Sequence, residues 1–198
     1  IATGLIAASL VSGTAHAVLL VRNMDGNALT FEAYYDTDLD ITWLANANMN
    51  GAMTWYDANT WAANLSFYNP LTNQTYADWR LPTVEPVNGV SFNYDFSLNG
   101  STDVGYNITS PQSEMAHLFY VTLGNSGYYT PVGTISNCYV DSSSTCLENV
   151  GPFTNLHQAG VYWYATGVTE CALCTTDALV FAMDYGIQGG GYENDGFY

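Results

Sequence analysis

Only two stretches of this 198-residue sequence carry a helical hydrophobic period, and both are short. In the first, Thr54 followed by Asp57 is a capping signal, and the apolar residues behind it share one helical face over about residues 55–65. In the second, Ser110 offers an N-cap and Pro111 a proline at the first helical position. The remainder of the chain has to form strands and loops, because it shows no further helical spacing.

Strand patterns lie at both ends of the sequence. Residues 29–35 alternate between apolar and polar side chains, which is the period of a half-buried strand. Further strands are predicted over residues 18–22, 41–44, 161–165 and 178–184. Residues 86–109 predict a long loop, and the glycine run of residues 186–191 predicts a flexible segment. We therefore expect one α+β domain over residues 18–198, with two helices packed on small antiparallel sheets.

The charge balance excludes two classes of partner. Eighteen acidic residues face two arginines, Arg22 and Arg80, and no lysine, so the formal net charge is −16. A nucleic-acid binder needs a basic surface that neutralises phosphates, and an anionic membrane would repel this chain directly. Charged residues make up only 10% of the sequence and hydrophobic residues 48%, so we expect a sizeable core beneath a neutral polar surface.

The first seventeen residues have the character of an export signal. Residues 1–11 form an apolar run that is too short to span a bilayer, and Ala15-His16-Ala17 supplies the small-x-small pattern of a cleavage site. We predict cleavage after Ala17 and a secreted or cell-surface location. The alternative is a retained apolar N-terminal segment, which would have to be buried against something such as a neighbouring copy.

Four cysteines agree with export to an oxidising compartment. Cys138 and Cys146 flank a polar loop, and Cys171 and Cys174 are separated by two residues. Three pairings are possible, and the spacing favours two local disulfides. The first pair is spaced too widely for a zinc knuckle, and no thioredoxin-like strand and helix start precede the second.

Three alternating aspartates, Asp36, Asp38 and Asp40, follow the spacing of calcium ligands in a loop. Ile41 and Ala47, however, occupy the positions where an EF-hand needs Gly and Glu. The pattern favours a strand turn with solvated acids. The three aspartates remain weak calcium candidates, and no other cofactor is expected.

The sequence contains no arrangement typical of a catalytic site. His117 falls on the second predicted helix beside apolar residues and is expected to be a packing histidine, and His157 lies in a loop. Neither accompanies a nucleophile motif such as Gly-x-Ser-x-Gly. We therefore predict no enzymatic activity.

One motif resembles a known family. The string Trp79-Arg80-Leu81-Pro82-Thr83 follows a helix of the form Thr-Trp-x-x-Ala-x-x-Trp-Ala-x-x-Leu at residues 54–65, and three further strings occur in matching order at residues 38–44, 151–156 and 162–163. Together they resemble the Lcl C-terminal domain family of bacterial exported proteins, and in particular its short members that often carry a PEP-CTERM sorting tail. The resemblance covers residues 35–184. The family's usual closing strand and the sorting tail do not follow Tyr198.

The resemblance implies a C-type-lectin-like fold with long loops and carries over no catalytic residue. A lectin-like domain closes its N- and C-terminal strands against each other, so a missing closing strand would leave a sheet edge open for another chain. Within the motif, we expect Arg80 to be partly buried and paired bidentately with a carboxylate, with ligand binding as the alternative. The sugar-binding triplets of C-type lectins are matched only imperfectly, at residues 85–88 and 194–195.

We expect an exported, non-enzymatic structural or adhesive subunit. It would assemble with itself, into filaments if one copy's N-terminal strand completes the next copy's sheet. Tyrosines on loops are candidate interface residues, at Tyr128, Tyr129, Tyr192 and Tyr198. The alternative is a monomeric, possibly calcium-dependent module that binds extracellular glycans, because aromatic side chains also stack on sugars.

Overall fold

The computed structural model describes residues 18–139, 145–156, 160–165, 177–193 and 195–198. In chain order its strands are β1 (Leu19–Arg22), β2 (Ala33–Asp36), β3 (Ile41–Leu44), β4 (Phe67–Asn69), β5 (Gln74–Tyr76), β6 (Phe96–Ser97), β7 (Val104–Tyr106), β8 (Val161–Trp163), β9 (Asp177–Ala182) and β10 (Ile187–Tyr192). Its helices are α1 (Trp55–Asn64) and α2 (Glu114–His117), which continues as a π-helical turn over Leu118–Thr122. Among the described residues, no helix has the length and apolar character needed to cross a membrane.

The strands form three sheets. β1, β2 and β3 make an antiparallel sheet in that order, and β4 pairs with β5 in a hairpin. The largest sheet has the order β6-β7-β10-β9-β8 and is antiparallel except for the pair β6–β7. The predicted α+β class is confirmed: two short helices accompany several small sheets.

The core lies where both helices meet the largest sheet. Phe119, in the π-helical turn, packs on Phe181 of β9 with their ring centroids 5.4 Å apart. Ala58 and Ala62 of α1 form a second buried cluster with Trp163 of β8. Small residues on the inner face of α1 let this helix approach the sheet closely, since a larger side chain would hold it away.

The capping signal of α1 works as the sequence indicates. The Thr54 hydroxyl accepts a hydrogen bond from the Asp57 amide at 3.3 Å, which satisfies one of the free amides at the helix start. The Trp55 indole then donates to the Tyr164 carbonyl at 2.8 Å. This bond fixes the first turn of the helix to the segment after β8.

The second helix begins later than the sequence predicts. Ser110 and Pro111 lie in a turn, and α2 starts at Glu114. The intervening residues form an isolated antiparallel bridge, Val84 to Ser113, and the Glu85 amide donates to the Gln112 carbonyl at 2.8 Å. Backbone pairing with residues 83–85 therefore outcompetes the local preference for a helix start.

The glycine run is a strand, not a flexible segment. β10 lies in the middle of the largest sheet, between β7 and β9, and its Gln188 is fully buried. A Cβ on Gly191 would lie 2.8 Å from the ring of Phe197 and 3.0 Å from Val180. Glycine is required there because neighbouring side chains occupy the space.

The predicted strand over residues 29–35 is also shorter than its alternation indicates. β2 begins at Ala33, and Leu29 is 90% exposed in the preceding loop. Asn27 directs this loop: its Oδ1 accepts from the Leu29 amide at 3.1 Å and its carbonyl accepts from the Thr30 amide at 3.2 Å. A local asparagine turn overrides the alternation.

The N-terminal strand and the C-terminal residues belong to different sheets. β1 pairs with β2, whereas Tyr198 pairs with the outer side of β8: its amide donates to the Val161 carbonyl at 2.9 Å, and its carbonyl accepts from the Trp163 amide at 2.8 Å. The small sheet ends at β1 on one side and β3 on the other, and the open edge that the resemblance implies stays a prediction.

Candidate functional site

Residues 79–83, the motif that carries the resemblance, form with Glu114 a hydrogen-bonded cluster that we call the joint. Arg80 donates two hydrogen bonds to this carboxylate, Nη1 to Oε2 at 2.8 Å and Nη2 to Oε1 at 2.7 Å. The predicted bidentate pair is thus present, with the arginine side chain 48% exposed and the glutamate side chain 10% exposed. Hydrogen bonding to Glu114 raises the pKa of the Arg80 guanidinium above its usual range, and burial opposes this shift.

Main-chain bonds complete the joint. The Thr83 amide donates to Glu114 Oε2 at 2.7 Å, and the Glu114 amide donates to the Thr83 carbonyl at 3.2 Å. The Pro82 carbonyl accepts from the Ala165 amide at 2.7 Å. The motif therefore connects the start of α2 to the end of β8, which gives Arg80 a structural role; ligand binding by Arg80 stays the untested alternative.

An apolar cleft of about 470 Å³ lies beside this joint. Its lining includes four of the five tryptophans and four of the five methionines of the chain: Trp43, Trp61, Trp79, Trp163, Met24, Met49, Met53 and Met115. Methionine packs adaptably, and tryptophan offers a large flat surface, so this composition is typical of a surface that contacts apolar groups.

Two lengths of backbone form the walls of the cleft. One wall is β3, all four of whose residues line the cleft, and the other is the continuous segment of residues 76–82. Ala58 and Ala62 of α1, together with Trp61 and Leu65, lie between the walls. Because consecutive residues of a strand point to opposite faces, a wall lined by consecutive residues presents its edge to the cleft.

One polar atom in the cleft is buried without a partner. The indole Nε1 of Trp79 has no hydrogen-bond acceptor within the described parts of the chain, although the ring packs edge-on against Phe67 at 5.7 Å. A buried indole N–H usually finds an acceptor. The cleft thus holds an unused hydrogen-bond donor.

The cleft contains little charge. Asp78, Arg80 and Glu114 are the charged side chains in its lining, and the last two are paired with each other. Asp78 is exposed and has a positive φ of 63°. The single uncompensated charge is negative and disfavours acidic ligands.

The N-terminal strand presents apolar side chains to solvent. Val18, Leu20 and Val21 are 51%, 48% and 51% exposed, while Leu19 packs partly against the main core. β1 is an edge strand whose register with β2 pairs Leu20 with Tyr35. The guanidinium of Arg22, the one cation on this strand, lies over the Tyr35 ring at 4.7 Å from its centroid.

The three aspartates proposed as calcium candidates do not converge. Asp36 is fully buried, not solvated as expected, and its Oδ1 accepts from the amides of Asp38 and Leu39 at 3.0 and 3.3 Å. Its Oδ2 accepts from the Thr122 hydroxyl at 3.0 Å. The Asp40 carboxylate accepts from the Tyr35 hydroxyl at 2.6 Å. These bonds hold the β2–β3 turn, and calcium binding by these residues stays a prediction.

Asp38 instead pairs with His117. The buried histidine has Nε2 2.7 Å from Asp38 Oδ2 and Nδ1 2.9 Å from the Thr109 carbonyl. Both neighbours accept hydrogen bonds, so both bonds form when each ring nitrogen carries a hydrogen. The histidine links α2 to the β2–β3 turn, as expected of a packing residue.

Within the described ranges, no group of three His, Cys, Asp or Glu side chains could hold a metal ion. Cys138 and Cys146 are buried and joined in a disulfide, one of the two local pairs that the spacing favours. Cys171 and Cys174, like His157, lie outside the described residues.

The tyrosines predicted to form an interface differ in exposure. Tyr192 is 67% exposed, but Tyr128, Tyr129 and Tyr198 are partly buried. Tyr128 and Tyr129 pack edge-on at 4.7 Å, and Tyr198 lines the cleft. Aromatic packing, not an external surface, accounts for most of this set.

Sequence reasoning missed the cleft as a whole. Its walls come from residues 41–51 and 76–82, and its methionines are scattered between positions 24 and 115. No spacing rule connects such distant positions. Only local patterns in the sequence bear on the cleft. The capping pattern predicts α1, and the motif at residues 79–83 marks part of one wall; residues of both line the cleft.

Comparisons of this chain with protein-family models, with curated proteins and with solved structures found no match.

Proposed function

We propose that this protein is an exported, non-enzymatic structural or adhesive subunit that assembles with itself outside the cell. The observation that carries this proposal is the apolar edge strand β1, with Val18, Leu20 and Val21 each about half exposed. The domain would be C-type-lectin-like and of the Lcl C-terminal type, as the string at residues 79–83 indicates.

An exposed apolar edge is unusual because it invites pairing with other chains. Proteins that remain monomeric commonly protect such edges with lysine or with a bulge. This chain has no lysine, and the Arg22 side chain lies over a ring instead of extending beyond the edge. The strand is therefore suited to pairing with a strand of a second molecule.

The other chemically capable groups support a non-enzymatic role. Arg80 and Glu114 are bonded to each other, and His117 is bonded to Asp38 and to backbone. Each holds two elements together. Their hydrogen-bonding capacity is used within the fold.

The test is the molar mass of the native protein by light scattering. We expect species many times heavier than the 21.5 kDa chain, and fibres by electron microscopy if the contact does not close into a ring. A variant carrying Leu20→Lys and Val21→Lys should be largely monomeric, because its edge is now charged on both faces.

Leu71→Lys with Leu29→Lys is the matched control. Both leucines are highly exposed and lie outside β1, so the same charge is added without touching the edge. A monomeric native protein, or control and β1 variants that dissociate equally, would refute assembly through β1.

The second candidate function is glycan binding in the cleft. Trp61 and Trp79 provide stacking surfaces there, and the amide side chains of Asn46 and Asn50 provide hydrogen bonds. Titration with a broad glycan panel, with and without a calcium chelator, tests it. Binding that is lost in a Trp61→Ala variant supports this function, and no binding across the panel removes it.

A further inference from the structure

We propose that the cleft is a receptor site for residues 5–11 of a second copy of this chain, which add as a strand beside β3. This inference rests on the proposed self-assembly and on the alternative in which the N-terminal segment is retained instead of being cleaved after Ala17, and it adds a contact at the cleft to the contact at the β1 edge. The segment reads Leu-Ile-Ala-Ala-Ser-Leu-Val, and it precedes β1 in the sequence.

The shape of the cleft fits an extended chain. β3 is the last strand of its sheet, so its second edge faces the cleft and not another strand of the described structure. The opposite wall, residues 77–82, lies outside any strand. Strand addition satisfies an open edge through main-chain hydrogen bonds, while pockets beside the edge receive alternate side chains.

The lining fits the chemistry of residues 5–11. Leu, Ile and Val side chains are matched by the methionine and tryptophan surfaces described above, since both adapt to aliphatic groups.

The negative charge of the molecule also favours residues 5–11 as the occupant of the cleft. At a net charge of −16, two copies repel each other, and the cleft carries the extra negative charge of Asp78. Residues 1–21 contain no Asp, Glu, Lys or Arg. An uncharged segment enters the cleft without added repulsion.

The connection favours a second molecule over the same one. β2 lies between β1 and β3, so a segment folding back onto its own cleft would have to cross β1 and β2. Consecutive strands are usually neighbours in a sheet, and this connection would skip two strands. Residues 12–17 can instead extend about 20 Å from β1 toward a neighbour.

The experiment uses the full chain and a synthetic peptide of residues 4–12. Four of the five tryptophans line the cleft, so its occupation should change their fluorescence. We expect the peptide to dissociate assemblies and to shift the emission. A peptide with Leu5→Asp and Leu10→Asp should do neither, because it would bring carboxylates into an apolar site.

Met49→Lys places a charge at the mouth of the cleft, where Met49 is 40% exposed. We expect this change to weaken peptide binding and assembly about tenfold or more, whereas the control Leu71→Lys leaves both unchanged. Loss of both in the Met49 variant supports the cleft as the receptor.

The failures of the two proposals can be told apart. If assembly depends on β1 but is unchanged by the peptide and by Met49→Lys, the receptor site is overturned and the proposed function stands. A native assembly whose chains begin at Val18 has the same consequence. A monomeric full chain whose cleft binds the peptide overturns self-assembly. A fluorescence shift with decanoate or a glycan, but not with the peptide, overturns the peptide as occupant.

Discussion

At the scale of single residues, Glu114 is a buried acidic residue whose carboxylate is paired with an arginine. This carboxylate accepts two hydrogen bonds from Arg80 and one from the Thr83 amide, so three hydrogen bonds compensate for its removal from water. Removing one partner of such a pair costs more than the pair contributes, because a buried charge is left behind. The arginine is half exposed, which lets solvent screen part of that cost.

Arg80→Met should therefore lower the free energy of unfolding by about 1–3 kcal/mol, measured by urea denaturation. The double variant with Glu114→Met should recover part of the loss, because no unpaired carboxylate remains. Arg22→Met is the matched control: that arginine contacts a ring at the surface, and its loss should cost much less. If the Arg80 and Arg22 variants lost the same free energy of unfolding, the structural role of the Arg80–Glu114 pair would be contradicted.

Buried tyrosines predict an alkaline limit to stability. Burial raises the pKa of Tyr106 from 10.0 to about 12, and burial also raises the pKa values of Tyr120 and Tyr164. The unfolded chain releases these protons near pH 10 while the folded chain keeps them. The stability contributed by these groups is therefore complete below pH 10 and falls as the pH rises from about 10 to 12, and for Tyr106 the loss is less than about 1.4 kcal/mol per pH unit because solvent screens part of the effect.

Urea unfolding at a series of alkaline pH values, with tyrosinate absorbance in parallel, measures this effect. Tyr106→Phe should make the decline between pH 10 and 12 less steep. A variant with an unchanged slope would show that Tyr106 titrates normally in the folded protein.

At the scale of elements, the sequence predicts the helix and strand bounds that local side-chain chemistry sets. It misses the bounds that are set by contacts with residues distant in the sequence. Thr54 caps α1 as expected, and β3 covers the predicted residues 41–44. β10 was missed because its glycines carry no strand signal, and only the packing of Phe197 and Val180 shows why they are needed. The start of α2 was misplaced because a backbone bridge to Val84 cannot be read from residues 110–114 alone.

Glycine in the large sheet gives a sharp test of this packing. A Cβ on Gly105 of β7 would lie 1.9 Å from the Ser97 carbonyl oxygen, and its φ of +122° excludes most side chains. Gly105→Ala should therefore lower the free energy of unfolding by about 2–4 kcal/mol. Gly189→Ala on β10 meets nothing within 4 Å and should change it by less than about 1 kcal/mol. Thermal unfolding of both variants measures the difference; similar losses would contradict the close approach of β6 and β7.

At the scale of the whole molecule, composition and structure act in opposite directions on assembly. The net charge of −16 repels other copies, whereas in the proposed assembly the apolar edge of β1 and the apolar cleft would draw them together. The charge and the resemblance could be read from the sequence. The cleft could not, because it exists only once β3, α1 and residues 76–82 have been brought together.

This opposition predicts how salt controls assembly. Raising the salt concentration from about 20 to about 300 mM shortens the screening length from about 20 Å to about 6 Å, so repulsion between copies weakens while apolar contacts persist. We expect the mean mass in light scattering to rise with salt. The Leu20→Lys, Val21→Lys variant separates the two causes, because two added lysines bring the charge from −16 to −14 and reduce repulsion. If charge alone governed assembly, that variant would assemble more readily than the native chain; if the apolar edge is the contact, it stays smaller at every salt concentration.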